Sequence, residues 1–265
     1  MSLRALIATA LLALVPASAF AAGGLQLQWF GQSAFKLTSP DGKVIVIDPF
    51  ITGNPVTPKE WKDLDRIGPV DLILVTHAHG DHWGDTAHLA RKTGAPVGLN
   101  ADFGNTIRTL GVLPGDQLIR FNKGGPIHPL GDGIAITMVH AEHSSDFVYD
   151  SAVHAGGEPA GYIIELENGY TVWHMGDTGV FGDMAWLADY YDPDLVLAPI
   201  GGHFTMDPEH AAYALDELIA PDTVVPMHYG TFPPLKGTPA ELADALGDTS
   251  IKLEVMQPGQ TRTFE

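Results

Sequence analysis

One short segment limits the architecture of this chain more than any other feature. An apolar run at residues 70–75 is followed at once by His77, His79, Asp81 and His82. An apolar run of this length, broken here only by Asp71, is typical of a buried strand. A helix would point these four side chains in different directions, whereas a loop leaving a strand can turn them to one point. The segment therefore predicts a buried strand whose following loop binds metal.

Four local ligands cannot complete two metal sites, so further ligands must come from distant parts of the chain. Candidates lie just beyond other apolar runs: His140 and His143, Asp177, and His228. Residues that follow strand ends are where layered folds collect their sites. Imidazole and carboxylate groups are ligands of zinc, manganese and iron. The chain has no cysteine, which excludes a thiolate ligand or nucleophile.

The rest of the pattern predicts one α/β domain. Strands are predicted at 25–30, 35–38, 44–47, 70–75, 134–139, 162–166, 170–173, 195–198, 224–227 and 251–255, and helices at 83–92, 101–110, 208–219 and 239–246. The early strands lack intervening helices, which argues against a TIM barrel. A strand-rich half followed by strands mixed with helices fits two packed sheets with helices on both outer faces.

The N-terminus predicts export. Arg4 precedes a short apolar run at 5–15, and Ala19-Phe20-Ala21 matches the small-x-small pattern of a signal-peptidase site. The run is shorter than the roughly 20 residues that span a bilayer. We predict a signal peptide at 1–21, with a cut two residues earlier as the alternative. The domain at 22–265 would then be exported, to a bacterial periplasm, with no membrane anchor after cleavage.

The charge balance limits the partners of the chain. Its 14 Lys and Arg residues face 32 Asp and Glu residues, a formal net charge of −18. Such a surface repels nucleic-acid phosphates and anionic lipid. We therefore expect a small-molecule substrate and no nucleic acid. Assembly into a homo-oligomer stays open.

The motifs resemble a known superfamily. The pattern His77-x-His79-x-Asp81-His82, with a later His, Asp and His, looks like the metallo-β-lactamase superfamily. Longer motifs are similar to a widespread family of uncharacterised metal-dependent hydrolases near the L-ascorbate-6-phosphate lactonase branch. These are DPFITGNP at 48–55, HSS at 143–145, GDTGVFGDM at 176–184, PIGGHFTM at 199–206 and PMHY at 226–229. The resemblance spans about residues 25–233. The predicted signal peptide is a departure that argues against a cytosolic phosphorylated metabolite as substrate.

The resemblance implies a fold, a ligand set and two divalent ions. The fold would be a four-layer αββα sandwich. One ion would take His77, His79 and His143, the other Asp81, His82 and His228, and Asp177 would bridge them. His143 is preferred to His140 because it carries the His-Ser-Ser context of the family. Zinc is favoured, with manganese or iron also compatible.

This ligand set predicts hydrolysis. A water shared by two such ions becomes hydroxide near neutral pH and can attack an ester, lactone or phosphodiester. Asp81 would align it, and His203, His174 and Tyr229 are candidates for the leaving-group acid. Asp48 either orients a ligand histidine or only forms a turn. The first alternative to a hydrolase is a metal-binding protein with little turnover. A β-lactamase or a nuclease is less favoured by the sequence.

Overall fold

The computed structural model describes residues 23–265 and builds them from two large sheets and one hairpin. The predicted signal peptide lies outside the described residues. Seven strands pair in the order β15-β1-β2-β3-β4-β5-β6, and six in the order β14-β13-β12-β11-β10-β7, while β8 and β9 pair only with each other. In the described part, no helix has both the length and the apolar character needed to cross a membrane.

The elements follow one another in an order that places most of the early strands in the first sheet. The strands are β1 (Leu25–Gly31), β2 (Ala34–Thr38), β3 (Val44–Ile47), β4 (Leu72–Leu74), β5 (Val97–Asn100), β6 (Leu118–Phe121), β7 (Ala135–His140), β8 (Asp146–Tyr149), β9 (Ala152–Ala155), β10 (Ala160–Glu165), β11 (Thr171–His174), β12 (Leu195–Pro199), β13 (Thr223–Met227), β14 (Lys252–Leu253) and β15 (Thr261–Phe264). The helices are α1 (Gly80–Trp83), α2 (Thr86–Thr93), α3 (Ala101–Thr109), α4 (Met184–Tyr191), α5 (Pro208–Tyr213) and α6 (Pro239–Leu246). A π-helical turn, Ala214–Ile219, extends α5.

The apolar runs form strands that are buried on both faces. In β3, Ile45 and Ile47 face the second sheet, whereas Val46 faces the helices on the outside. In β4, Leu74 points inward and Ile73 points outward in the same way. Successive strand side chains alternate between the faces of a sheet, so a strand covered on both sides needs an unbroken apolar run. This explains why these segments do not alternate with polar residues.

The helices cover the outer face of each sheet. Trp83, Leu89 and Phe103, from α1, α2 and α3, pack against the first sheet. Leu187 of α4 and Leu242 of α6 belong to the apolar cluster on the outside of the second sheet. The predicted αββα sandwich is confirmed, with one apolar cluster between the sheets and one beneath each helical layer.

The helix predicted at 83–92 was wrong, because the chain forms two helices there. The helices α1 and α2 are separated at Gly84, which has φ 38°. A Cβ at Gly84 would lie 2.6 Å from Phe50 Cα and 2.6 Å from Pro49 O. The break is therefore set by a close approach of the 49–50 backbone, a contact that local sequence does not reveal.

Several elements were missed by the sequence analysis. The strands β5, β6 and β15, the helix α4 and the β8-β9 hairpin have weak local signals. The segment of β5 contains Gly98 and Asn100, and β15 is a short polar edge strand that pairs with β1. Such segments become strands only because a neighbouring strand offers its hydrogen bonds.

Candidate metal centre

The loops after four strands carry the predicted ligands to one end of the sandwich. His77 and His79 follow β4, and the loops after β7, β11 and β13 add His143, Asp177 and His228. Asp81 and His82 do not lie in extended loop, since they begin the single turn of α1. All seven predicted metal ligands come together although they span about 150 positions of the chain.

The seven side chains form three overlapping groups in which one ligand atom of each lies within 4.8 Å of the others. The groups are His77, His79 and His143; His77, His82 and Asp177; and Asp81, His82 and His228. The first and third match the two ligand trios that the resemblance implies. The second lies between them and contains the predicted bridging residue.

Asp177 lies between the two trios and is 3% exposed. Its Oδ1 is 3.2 Å from His82 Nε2, and its Oδ2 is 2.9 Å from His228 Nε2. The same Oδ2 is 3.6 Å from His143 Nε2. Asp177 thus contacts His143 of the first trio as well as His82 and His228 of the third, which is the geometry expected of a bridging ligand.

Asp48 fixes the orientation of two ligand histidines. This fully buried carboxylate accepts hydrogen bonds from Thr76 N (2.8 Å), Thr76 Oγ1 (2.7 Å) and His82 Nδ1 (2.7 Å). Because Thr76 Oγ1 donates to Asp48, it is free to accept from His77 Nδ1 at 3.1 Å. The Nε2 lone pairs of His77 and His82 are thereby left for the centre. Asp48 therefore orients ligands, and its φ of 46° also forms the turn.

His79 has a weaker version of the same support. Its Nε2 lies 3.2 Å from Asp146 Oδ1, so Nδ1 faces the cluster, 2.9 Å from His77 Nε2. The Asp146 side chain is 48% exposed. Water competes for this carboxylate, so its contribution should be smaller than that of Asp48.

Several buried polar atoms of the cluster have no protein partner, which indicates that these residues fit divalent cations. His82 Nε2, His228 Nε2 and Asp177 Oδ1 are buried, close together, and without a well-aligned hydrogen bond within residues 23–265. Buried polar atoms are almost always paired in native proteins. Imidazole nitrogens and carboxylate oxygens converging in this way are the donor set of zinc, manganese or iron.

The buried carboxylate and histidines at the centre shift one another's pKa values. Burial favours the neutral acid at Asp177, but His228 and His82 outweigh it and hold the Asp177 pKa well below its usual range. Burial also opposes charge on His228, yet Asp177 raises the His228 pKa to about 9. At His77, burial and then the neighbouring His82 lower the pKa, which keeps the ring neutral. A neutral imidazole is the form that binds metal, so a bound cation would displace the proton that Asp177 favours on His228.

The three candidates for the leaving-group acid do not contact the cluster as proton donors. His174 is fully buried, with Nε2 3.0 Å from Ser33 O and Nδ1 accepting from Gly176 N. Tyr229 packs its ring 5.5 Å from Trp29, and burial raises its pKa to about 12. Both side chains thus belong to the packing around the site, and their predicted role as an acid has no geometric support.

His203 is also displaced from its predicted place. It lines a separate cleft with Gly202 and Lys236, while the next residue, Phe204, lines the cavity beside the cluster. With φ 64°, His203 forms the tight turn between these two positions. Its predicted role as an acid has no geometric support. His140 likewise stays at the surface beside Glu142, whereas His143 enters the cluster.

Gln32 is a site residue that the sequence analysis missed. It lies in the β1-β2 turn with φ 53°, is fully buried, and its Nε2 donates to Asp81 Oδ2 at 2.9 Å. Its backbone carbonyl accepts from His228 N at 3.1 Å. One turn residue therefore supports two ligands. A glutamine after a glycine carries no signal that could have singled it out.

Gly201 lets the loop after β12 lie directly against His228. A Cβ there would be 2.1 Å from the His228 carbonyl oxygen, so Gly201→Ala must displace the backbone that carries this ligand. We expect a loss of about 1–3 kcal/mol of stability, with overpacking as the cause. Thermal unfolding measures it. The control is Gly182→Ala, where a Cβ meets nothing within 4 Å. Equal unfolding temperatures for the two variants would contradict this role.

A cavity of about 630 Å³ opens beside the cluster. Its lining includes the candidate ligands Asp81, Asp177, His79, His143 and His228, together with Gln32 and Ser144. Apart from Gly80, the other lining residues are apolar. The ligand cluster is therefore accessible to a small molecule.

Comparison with known proteins identifies the family. Residues 43–229 match the model of the β-lactamase superfamily domain. A UPF0173 metal-dependent hydrolase of a Polaromonas species is 50% identical over 250 residues, covering 92% of this chain and 91% of the relative. The relative from Polynucleobacter asymbioticus is 50% identical over 254 residues, with 93% and 89% covered.

Solved structures agree. A metallo hydrolase from the archaeon Ignicoccus hospitalis is 39% identical with a TM-score of 0.79, covering 92% of this chain and 99% of that one. The metallo-β-lactamase fold protein YhfI of Bacillus subtilis shares the fold at 14% identity and a TM-score of 0.66, with 91% and 99% covered. The chain belongs to the metallo-β-lactamase superfamily, among its UPF0173 metal-dependent hydrolases.

Proposed function

We propose that this protein holds two divalent cations, with zinc favoured over manganese or iron, and hydrolyses an ester, a lactone or a phosphodiester. The observation that carries the proposal is the position of Asp177. Its two oxygens face His82 on one side and His228 and His143 on the other, at 2.9–3.6 Å. His77, His79 and His143 would hold one ion, and Asp81, His82 and His228 the other.

The protein positions side chains around the two proposed cations. Two cations held by these residues would supply an activated water near neutral pH and would stabilise negative charge developing on the substrate. Asp81 lines the cavity, and its carboxylate is held by Gln32. Burial opposes its ionisation, but His82 and His228 keep the Asp81 pKa below its usual range. The ionised form of Asp81 that these neighbours favour is suited to accept a hydrogen bond from the attacking water, and it is not suited to act as the leaving-group acid.

One polar side chain of the cavity, apart from the candidate ligands, is open to substrate. Besides the candidate ligands, the polar side chains of the lining are Gln32 and Ser144. Gln32 Oε1 is buried and has no hydrogen-bond partner within the described residues. The Ser144 hydroxyl can donate to a substrate oxygen. Because the Gln32 side chain is fully buried, Ser144 is the candidate for a substrate contact in this lining.

The test is a metal-loaded screen of untagged protein on ester, lactone and phosphodiester substrates, with Asp81→Ala beside the parent. We expect the parent to hydrolyse at least one class, and Asp81→Ala to lose at least about 100-fold in kcat/KM, because several kcal/mol of transition-state stabilisation depends on this centre. Asp183→Asn, at an exposed position outside the cluster, is the matched control.

Two results would overturn the proposal. A parent that binds metal but hydrolyses none of the three classes is a metal-binding protein without turnover. Equal activity of the parent and Asp81→Ala would mean that any observed hydrolysis does not use this centre. Elemental analysis of both proteins accompanies the screen. It distinguishes a variant that is inactive because it has lost metal from one that keeps its metal and lacks only the aligning carboxylate.

A further inference from the structure

The cavity beside the cluster has an apolar part that the hydrolytic chemistry does not require. It is lined by four side chains, which we call the apolar wall: Phe50, Phe204, Phe232 and Leu235. Phe204 is 56% exposed and Phe232 is 36% exposed. Large apolar side chains grouped at an opening next to reactive groups are typical of a binding surface. The wall is thus placed to contact the part of a substrate that lies away from the bond to be cleaved.

Phe50 is held rigidly in this wall. The Asp85 carboxylate accepts hydrogen bonds from the backbone N of Ile51 (2.9 Å) and Thr52 (2.8 Å), which anchors the loop. A Cβ at Gly53 would lie 2.8 Å from the Phe50 ring. Together with the close approach at Gly84, these contacts leave the loop little freedom. The Phe50 ring lies 6.2 Å from that of Phe232, at an interplanar angle of 31°.

Phe204 is presented by a strained turn. Its N–H donates to Gly202 O at 2.7 Å, and His203 between them has a left-handed backbone. The His203 ring packs edge-on against Phe204, with ring centroids 4.4 Å apart. Such conformations cost free energy and persist where the surrounding structure requires them. The turn keeps the Phe204 side chain at the cavity instead of His203.

The wall has no cation to bind a charged substituent. Among the described residues that line the cavity there is no lysine or arginine. The nearest in sequence to the wall, Lys236, lines the separate cleft that contains His203. The charged groups of the lining belong to the cluster itself. A carboxylate or phosphate that reached the wall would lose hydration without gaining a partner.

We propose that the substrate carries an uncharged apolar group, aromatic or of similar size, which lies against the wall while the scissile bond lies at the cluster. This inference rests on the proposed function and narrows it to apolar esters and lactones. It disfavours substrates whose remote end is a phosphate or a carboxylate. Phe204 and Phe232 are then specificity-determining residues.

The test uses three hydroxamic acids that share one metal-chelating group and differ in the tail, which is methyl, phenylpropyl or carboxypropyl. Their affinities for the zinc-loaded protein are measured by calorimetry, so the readout does not need turnover. We expect the phenylpropyl compound to bind at least about tenfold tighter than the methyl compound, since burial of a phenyl group is favourable. The carboxypropyl compound should bind no tighter than the methyl compound.

Variants then locate the effect. Phe204→Ala and Phe232→Ala remove exposed rings, so the fold should tolerate both. Each should reduce the ratio of phenylpropyl to methyl affinity by about threefold or more, and leave methyl affinity nearly unchanged. Tyr190→Ala is the control, because this tyrosine is 74% exposed on α4.

The outcomes separate the two proposals. Equal affinity for the phenylpropyl and methyl tails, or a preference for the carboxypropyl tail, overturns the inference and leaves the proposed hydrolysis standing. An affinity ratio that both alanine variants leave unchanged also overturns it. Failure of all three compounds to bind the zinc-loaded protein overturns the proposed metal centre together with the inference.

Discussion

Asp177→Asn should reduce kcat/KM by at least about 10³-fold and lower the bound metal from two ions to one or none. Asparagine has the same shape but only one neutral oxygen. It cannot offer negative charge both to the trio that contains His143 and to the trio that contains His82 and His228, as two cations require. Losing several kcal/mol of transition-state stabilisation corresponds to a rate change of this size. Steady-state kinetics and elemental analysis of untagged protein measure the two effects.

The matched control for Asp177→Asn is Asp183→Asn, six residues along the same loop and exposed to solvent. Its carboxylate makes no capping hydrogen bond to α4, so both metal content and activity should stay at the parent level. Two ions retained in Asp177→Asn, with activity reduced less than tenfold, would show that this residue does not bridge them.

Asp48→Asn should weaken metal binding about 10- to 100-fold although Asp48 is not itself a candidate ligand. Asparagine tolerates the left-handed φ of this position, so the turn is kept. The amide nitrogen, however, meets a donor in either orientation, because Oδ1 accepts from Thr76 N and Oδ2 accepts from both the Thr76 hydroxyl and His82 Nδ1. With the amide nitrogen at the Oδ2 position, His82 can accept at Nδ1 only by moving its proton to Nε2, the nitrogen that faces the cluster.

The same substitution should also cost about 1–3 kcal/mol of stability, because a buried hydrogen-bonding group is left unsatisfied. Metal titration and thermal unfolding, each with and without metal, measure the two effects. Asp146→Asn is the control, because it changes the carboxylate beside His79. The Asp146 side chain is 48% exposed, so this substitution should change the metal affinity by less than about threefold. If both variants bind metal like the parent, Asp48 does not orient His82.

Much of the metal centre was predictable because it follows strand ends. The run at 70–75 and the ligands after it depend on local pattern alone, and the later ligands follow other apolar runs. Alternating contacts of Ile45 and Val46 explain why such runs mean a strand covered on both faces. Where burial on both faces determines that a segment is a strand, the sequence pattern was sufficient to predict it.

Other features depend on contacts between distant segments. Gln32 supports Asp81 across 49 positions, and the separation between α1 and α2 depends on Phe50, more than 30 positions away. His203 shows that a residue in a matched motif need not reach the site. Because its turn has a left-handed backbone, Phe204 lines the cavity and His203 does not. Sequence proximity indicated the loop, and only the backbone conformation decided which side chain entered the site.

Anomalous X-ray diffraction from crystals of the untagged, zinc-loaded protein tests the central claim most directly. Two zinc peaks are expected, about 3.5–4 Å apart. One should be bound by His77, His79 and His143, and the other by Asp81, His82 and His228, with Asp177 touching both. A single peak, or zinc bound away from these seven side chains, would contradict the account.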